Sequence, residues 1–426
     1  MGSELLAFFL LVVASLVAIL ARRLGVPYTV ALVIAGLGLG VSAPHVDFLD
    51  LDQVHLSPEL LFRLFLPVLL FEAAFHLSWQ KFRENVLGIA LLAVPGVVAA
   101  VGIGGLFAYL LEPLARTPLP LPVALLFVSM LAATDPVSVV AMFKELGVPK
   151  RLAVLVEGES LLNDGIGVVA FIVTSALLGL DPNVPTVTAE WIGRFLFWEI
   201  VAGVGAGVLV GLLVSYAQTL VDDHLIEIML TTIAAFGSYL LASAMHASPV
   251  LSVVAAGMAC GNVGARIGMT PANKVAVVSF WEYAVFAANS FVFLLLGKEI
   301  ELVRLLEHSF SIVLAWVALV GSRAIVIGLV ERVLVRTSER LPWSWVAVLV
   351  WGGLRGSLSM VLALSLPHDF PHREVLVDLT FGVVLLSILV QGTTMGPLLR
   401  RVGVLEHRSG DSESVGEAHD GEVTSG

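Results

Sequence analysis

The sequence predicts an all-α polytopic membrane protein of about 13 transmembrane helices, and three observations carry that prediction. First, 58% of its 426 residues are hydrophobic and only 13% are charged, against about 25% charged in an ordinary soluble domain; the mean hydropathy is +0.97. Second, apolar runs of about 20 residues recur along the chain, the length a helix needs to cross a hydrocarbon core of about 30 Å. Third, polar groups inside those runs are concentrated in Thr134-Asp135-Pro136 and in Glu157-Gly158-Glu159-Ser160-Leu161-Leu162-Asn163-Asp164. Ionisable side chains at membrane depth are costly and mark an ion pathway. The composition excludes a folded aqueous enzyme domain. The net charge of -11 says little about partners, since much of it comes from polar loops and an acidic tail. A single cysteine, Cys260, rules out an internal disulfide and a thiolate metal cluster. No zinc, haem, phosphate-cradling or nucleic-acid signature is present, so no cofactor and no nucleic-acid partner is expected; the surrounding partner is membrane lipid.

The spans follow in order. Leu5 to Ala21 is the first, closed by Arg22-Arg23; it lacks the positive lead-in and small-residue cleavage pattern of a signal peptide. The second, about Val26 to Ala43, is rich in glycine for close helix contact and precedes an acidic loop with Asp47, Asp50, Asp52 and His55. The third, about Leu60 to Leu77, carries Pro67 and Glu72. Glu72 must be neutral, paired from another helix, or used. The fourth is about Val86 to Leu111, the fifth about Leu121 to Phe143, and the sixth about Val154 to Leu178. Then come about Trp191 to Tyr216, Leu225 to Ala242, Pro249 to Gly261, and Val275 to Leu296 with Glu282 and Asn289. The last three are about Ile312 to Val330 with Arg323, Trp343 to Leu366 with Gly352-Gly353-Leu354-Arg355-Gly356, and Val375 to Leu398. Residues 401–426, rich in Gly, Ser, Glu and Asp, have nothing to bury and are expected to be a disordered cytoplasmic tail.

The polar cluster has a defined geometry. Glu159 and Asn163 are four apart, as are Ser160 and Asp164, so the two pairs form adjacent stripes on one helix. A helix starting near Val154 puts Asp164 roughly 15 Å in, about the midplane. Pro136 removes a backbone donor and disfavours helix at Asp135, so the preceding span should break at the same depth and leave carbonyls for a cation. Gly352, Gly353 and Gly356 favour a second break around Arg355. Paired broken helices in corresponding halves point to a secondary-transporter site at the midplane. Two inverted six-helix repeats with broken crossing helices would result, although no letter-by-letter repeat is evident. Fourteen of the 23 Lys and Arg fall in one alternate set of linkers and just after the last span. The positive-inside bias therefore puts the N-terminus outside and the C-terminus in the cytoplasm.

These segments together resemble the cation/proton antiporters that include the prokaryotic NhaP type and the animal sodium/hydrogen exchangers. The likeness spans roughly residues 5 to 400. It implies a homodimeric exchanger of the cell membrane, serving pH homeostasis, that trades Na+ or Li+ for H+. Residues 1–400 would be the antiporter domain, with core helices mainly in 60–178 and 275–366 and dimerisation helices in the remaining spans. By resemblance, Asp164 binds cation or proton in competition, Asp135, Ser160 and the Thr134 carbonyl complete the site, and Asn163 is the asparagine before the aspartate. Glu159 and Arg355 look like a structural ion pair, Glu72 like an acidic residue near the site, and Arg323 lies in a familiar Arg-Ala-Ile setting. The Asn163-Asp164 pair implies electroneutral 1:1 exchange.

Each residue also has a structural reading. Asp135 can cap a broken helix, Asn163 can tie two helices together, and Arg323 can serve packing and pairing. Histidines in or near loops and tryptophans at span ends fit interface positions more simply than a sensor or a ligand cage. Oxygen ligands alone do not separate Na+ from K+, so K+/H+ antiport is the alternative. An anion or metabolite transporter using Arg323 and Arg355 is disfavoured by the carboxylates.

Overall fold

The computed structural model describes residues 3–24, 27–42, 58–115, 119–135, 137–180, 184 and 187–404. The predicted acidic loop with Asp47 and His55, the Asp181-Pro182-Asn183 loop, Pro136 and the tail from residue 405 lie outside the described residues. Among the described residues all regular structure is helical. Eight helices are long and apolar enough to cross a membrane: Val86–Leu111, Lys150–Leu177, Ala189–Gln218, His224–Ala244, Pro249–Ile267, Pro271–Lys298, Ser309–Leu334 and Arg373–Arg401. The protein is an all-α polytopic membrane protein.

Helix starts follow local chemistry. The side chains of Thr188, Asp223, Ser248 and Thr270 accept hydrogen bonds from first-turn amides, satisfying donors that have no partner inside the helix. Proline then occupies the first turn after Ser248 and after Thr270, where its missing N–H is not needed. The third span is not the uninterrupted helix expected. Leu61–Phe65 is a π-turn leading into Leu66–His76. Pro67, near the start of the second piece, cannot donate to the ladder, and the backbone widens just before it. Two further π-turns, Cys260–Gly264 and Ser387–Gly392, interrupt later spans.

Both expected breaks are present. The fifth span is split into Leu121–Met130 and Val137–Leu146, and the twelfth into Trp343–Trp351 and Ser357–Leu364. Between the halves, Leu131–Asp135 and Gly352–Gly356 run as non-helical backbone.

Packing sorts the helices into two groups. Val86–Ala93, Pro95–Ala115, Leu121–Met130, Lys150–Leu177, Ser309–Leu334 and both broken segments lie against one another, with Arg373–Leu386. Tyr28–Ser42 packs on Pro271–Glu299, while Ala189–Gln218, His224–Ala244 and Leu66–His76 surround Pro249–Ala259. The Gly36 and Gly297 backbones approach so closely that a Cβ on either would meet the partner's main chain, the small-residue contact that membrane helices use in place of a hydrophobic drive. The sequence-based core, 60–178 and 275–366, included Leu66–His76 and Pro271–Glu299; both pack chiefly on the second group.

Candidate functional site

The site forms where the two broken spans cross. The Asp135 backbone N–H donates to the Leu354 carbonyl, 2.8 Å. Arg355 reaches the other way, its Nη1 donating to the Ala132 carbonyl at 3.0 Å and the Ala133 carbonyl at 3.3 Å. Those carbonyls close the C-terminal end of Leu121–Met130, where helix geometry leaves acceptors unmet and partial negative charge accumulates. Arg355 is buried, 7% exposed, so it neutralises that end without competition from water. Gly356 stands before Ser357–Leu364, and a Cβ there would fall 2.8 Å from Asp135 Oδ2. The Asp135 carboxylate thus lies against the positive end of the second half-helix.

Lys150–Leu177 passes beside this crossing. Asp164 is the fifteenth of its 28 residues, which places it at the middle of the span. The Ser160 hydroxyl donates to the Thr134 carbonyl in a short hydrogen bond. Asn163 Nδ2 donates to Thr134 Oγ1 at 3.3 Å, and its Oδ1 is buried without a partner among the described residues. Asp135, Thr134, Ser160 and Asp164 line one cavity of about 70 Å³ with Asn289 and Ser357. Both aspartates are partly exposed, and Asp164 has no basic side chain within ion-pair distance among the described residues. Toward Leu61 and Phe62 the cavity gives way to an apolar crevice of only about 10 Å³, sharing Leu66, Leu69, Ser357 and Leu358.

Four of the five expected ligands therefore meet at one cavity, while Asn163 stands behind Thr134. The expected Glu159–Arg355 ion pair is corrected by the geometry. Glu159 pairs with Arg323, Nη1 to Oε1 at 2.8 Å and Nη2 to Oε2 at 3.0 Å. Arg355 is occupied with helix-end carbonyls, so its side chain is not the one that meets Glu159. Arg323 also donates through Nε to the Leu349 carbonyl, 2.9 Å, covering the C-terminal end of Trp343–Trp351.

Glu72 does not line the cavity, although Leu69, Leu70 and Ala73 of its helix do. Its carboxylate lies 3.2 Å from Nδ1 of His76, one turn on. That i, i+4 neighbour is on Glu72's own helix, whereas the sequence-based expectation found no nearby basic residue in that span and left pairing to another helix. Asn289 and Ser357 were not expected as site residues. Ser357 follows directly on the glycine motif, which is a usable signal. Asn289 had none, since nothing in its own span fixes which way it faces.

The cavity offers two carboxylates, hydroxyls and an amide, all hard oxygen donors suited to alkali cations and lacking soft sulfur. Among the described residues no group of three or more His, Cys, Asp or Glu is placed to hold a metal ion.

The sequence profile described as "Sodium/hydrogen exchanger, transmembrane" matches residues 11–401. The chain is 42% identical over 392 residues to the Na(+)/H(+) antiporter ApNhaP of Aphanothece halophytica, covering 90% of this chain and 71% of that one. It is 37% identical over 418 residues to the Na(+)/H(+) antiporter NhaH of Halobacillus dabanensis, covering 93% and 97%. The fold is similar to the solved structure of the sodium proton antiporter MjNhaP1 from Methanocaldococcus jannaschii, with a TM-score of 0.75, 21% identity and coverage of 93% of this chain and 97% of that one. With a match that takes in nearly the whole membrane region and both broken spans, this chain belongs to the sodium/hydrogen exchanger family.

Proposed function

We propose that this protein is a secondary active antiporter exchanging Na+, with Li+ as a surrogate, for H+ at the cell membrane, and that it serves pH homeostasis. The observation that carries this is the placing of Asp135 and Asp164 in one small cavity at the crossing of two broken spans. A carboxylate there is neutralised either by a cation or by a proton, and not by both. Competition for that charge is the coupling. Asp164 carries cation or proton; Asp135, Ser160 and Thr134 complete the oxygen shell. Asn163 positions Thr134, and Glu159 with Arg323 and Arg355 hold the crossing together. Glu72 acts from beside the site, through His76, rather than in it.

The chain crosses the membrane 13 times as two inverted six-helix repeats, N-terminus outside and C-terminus in the cytoplasm. Support comes from the loop charges and from the reciprocal contact of the two breaks. In this reading the moving core is 86–177 and 309–401 and the scaffold through which two copies dimerise includes Leu66–His76 and Pro271–Glu299; the packing of the first set of helices with one another supports it. The narrow apolar crevice beyond Leu66 and Leu69 is consistent with a site closed toward the outside in this arrangement. Exchange is electroneutral, one cation for one proton.

The test is transport by purified protein in liposomes with an imposed pH gradient. NaCl or LiCl should dissipate the gradient, and KCl or choline chloride much less. A stronger response to K+ than to Na+ would reassign the cation and leave the mechanism standing; indifference to every alkali cation would overturn antiport.

A further inference from the structure

Of the six described polar residues that line the cavity, Thr134, Asp135, Ser160, Asp164 and Ser357 belong to the core bundle and one does not. Asn289 stands on Pro271–Glu299, which packs on Tyr28–Ser42, and it lines the same cavity as Asp135, Ser160 and Asp164. Its side chain is buried, 6% exposed. No described residue hydrogen-bonds its amide, which keeps some accessible surface and lines the cavity. An amide in so enclosed a place almost always has a partner, protein, water or ligand.

The backbone beside it is firmly held. The Tyr28 hydroxyl and Ser290 Oγ share a short hydrogen bond, and Ser290 Oγ also bonds the Phe286 carbonyl at 2.5 Å. The Tyr28 ring stacks on Phe286 with centroids 5.0 Å apart and planes 9° from parallel. Asn289 is thereby fixed to the scaffold, facing carboxylates that belong to the bundle across the cavity.

We propose that Asn289 is a cation-coordinating residue supplied by the scaffold, its side-chain oxygen completing the shell around an alkali cation held by Asp135, Asp164 and Ser160. This rests on the antiporter reading above. Because the amide is neutral, it adds an oxygen without adding charge, and one cation still replaces one proton. Because it does not travel with the core, it contacts the cation on one side of the transport cycle only. The affinity for Na+ is therefore unequal on the two membrane faces, and Asn289 is a source of the difference.

The experiment compares wild type, Asn289→Ala and Asn289→Ser in right-side-out and inside-out vesicles, with Na+-driven proton movement measured on each face and thermal unfolding measured in detergent. Losing one oxygen contact to a charged ligand should raise the Na+ KM about ten-fold on one face for Asn289→Ala. The KM on the other face and the unfolding midpoint should stay at wild-type values, and Asn289→Ser should recover part of the loss. An unchanged KM on both faces overturns the proposal, and so does an equal rise on both faces, which a packing role would give. Absence of Na+-driven proton movement in the wild type would instead overturn the antiporter reading.

Discussion

The guanidinium of Arg323 grips the carboxylate of Glu159 with two parallel hydrogen bonds, 2.8 and 3.0 Å, while its Nε holds the Leu349 carbonyl. Arg355 holds the carbonyls of Ala132 and Ala133. Each arginine thus covers the C-terminal end of one broken helix, and only Arg323 has a fork left for Glu159. Bidentate geometry is what a planar guanidinium provides and an ammonium does not.

Stability should report this division. Arg323→Met or Glu159→Gln alone strands a polar or charged group in a site where both partners are nearly buried, and should cost about 3–5 kcal/mol. The double variant Glu159→Leu with Arg323→Met should lose clearly less than the sum. Pairing Glu159→Gln with Arg355→Met should show clearly weaker coupling than the first double, since those side chains share no hydrogen bond. Unfolding in detergent for the singles and both doubles decides it; strong coupling of Glu159 to Arg355 and none to Arg323 would refute the arrangement.

Gly356 makes a second test because its role is space rather than backbone strain. Its φ of -124° is open to any residue, but a Cβ would lie 2.5 Å from Asp135 Cβ and 3.0 Å from Cγ. Gly356→Ala should push the Asp135 carboxylate off the end of Ser357–Leu364 and reduce exchange at least ten-fold, on the scale of about 1.4 kcal/mol or more. Folded yield should fall little by comparison. Transport at wild-type rate by Gly356→Ala would show that Asp135 tolerates displacement.

Much of this was legible in the sequence, and what was not has a physical reason. The two breaks announced themselves locally, through Pro136 and through three glycines within five residues. The placing of Asp164 at mid-span followed from counting residues along one helix. Glu159 and its partner did not follow: Arg323 and Arg355 both stand in apolar spans and satisfy the same charge argument, and only the crossing geometry decides which one meets it. Asn289 shows the same limit, since the direction an amide faces depends on how its helix is rolled against Tyr28–Ser42. Which helices Leu66–His76 packs on also needed three dimensions, because an apolar helix carries no mark of its neighbours.

Asp164→Asn should abolish exchange while leaving folding intact, because it keeps the shape and removes the charge for which cation and proton compete. The competition has a quantitative signature in the wild type. Below the pH at which Asp164 takes up its proton, each unit of acidification raises proton occupancy about ten-fold, and the apparent Na+ KM should rise about ten-fold with it. At higher pH the KM should level off. Transport by Asp164→Asn, or a KM that ignores pH throughout the range, would show that cation and proton do not share this carboxylate.

Voltage provides the last test. Two carboxylates line the cavity, so 1:1 exchange requires that only one of them change its occupant. Asp135 abuts the N-terminal end of Ser357–Leu364, where the helix favours negative charge, and in the proposed mechanism it would stay a fixed charge through both half-cycles. Asp164 has no such end beside it, and its neighbour Asn163 is a neutral amide engaged with Thr134. In the proposed mechanism Asp164 alone trades Na+ for H+, so the charge carried in each direction would be the same. A net elementary charge would be worth about 2.3 kcal/mol per 100 mV, so the distinction is large. Liposomes loaded with Na+ and clamped at a series of potentials with K+ and valinomycin should all come to rest at the same pH difference. A resting pH difference that shifts steadily with potential would mean that a second charge moves, and Asp135 would be the first residue to replace.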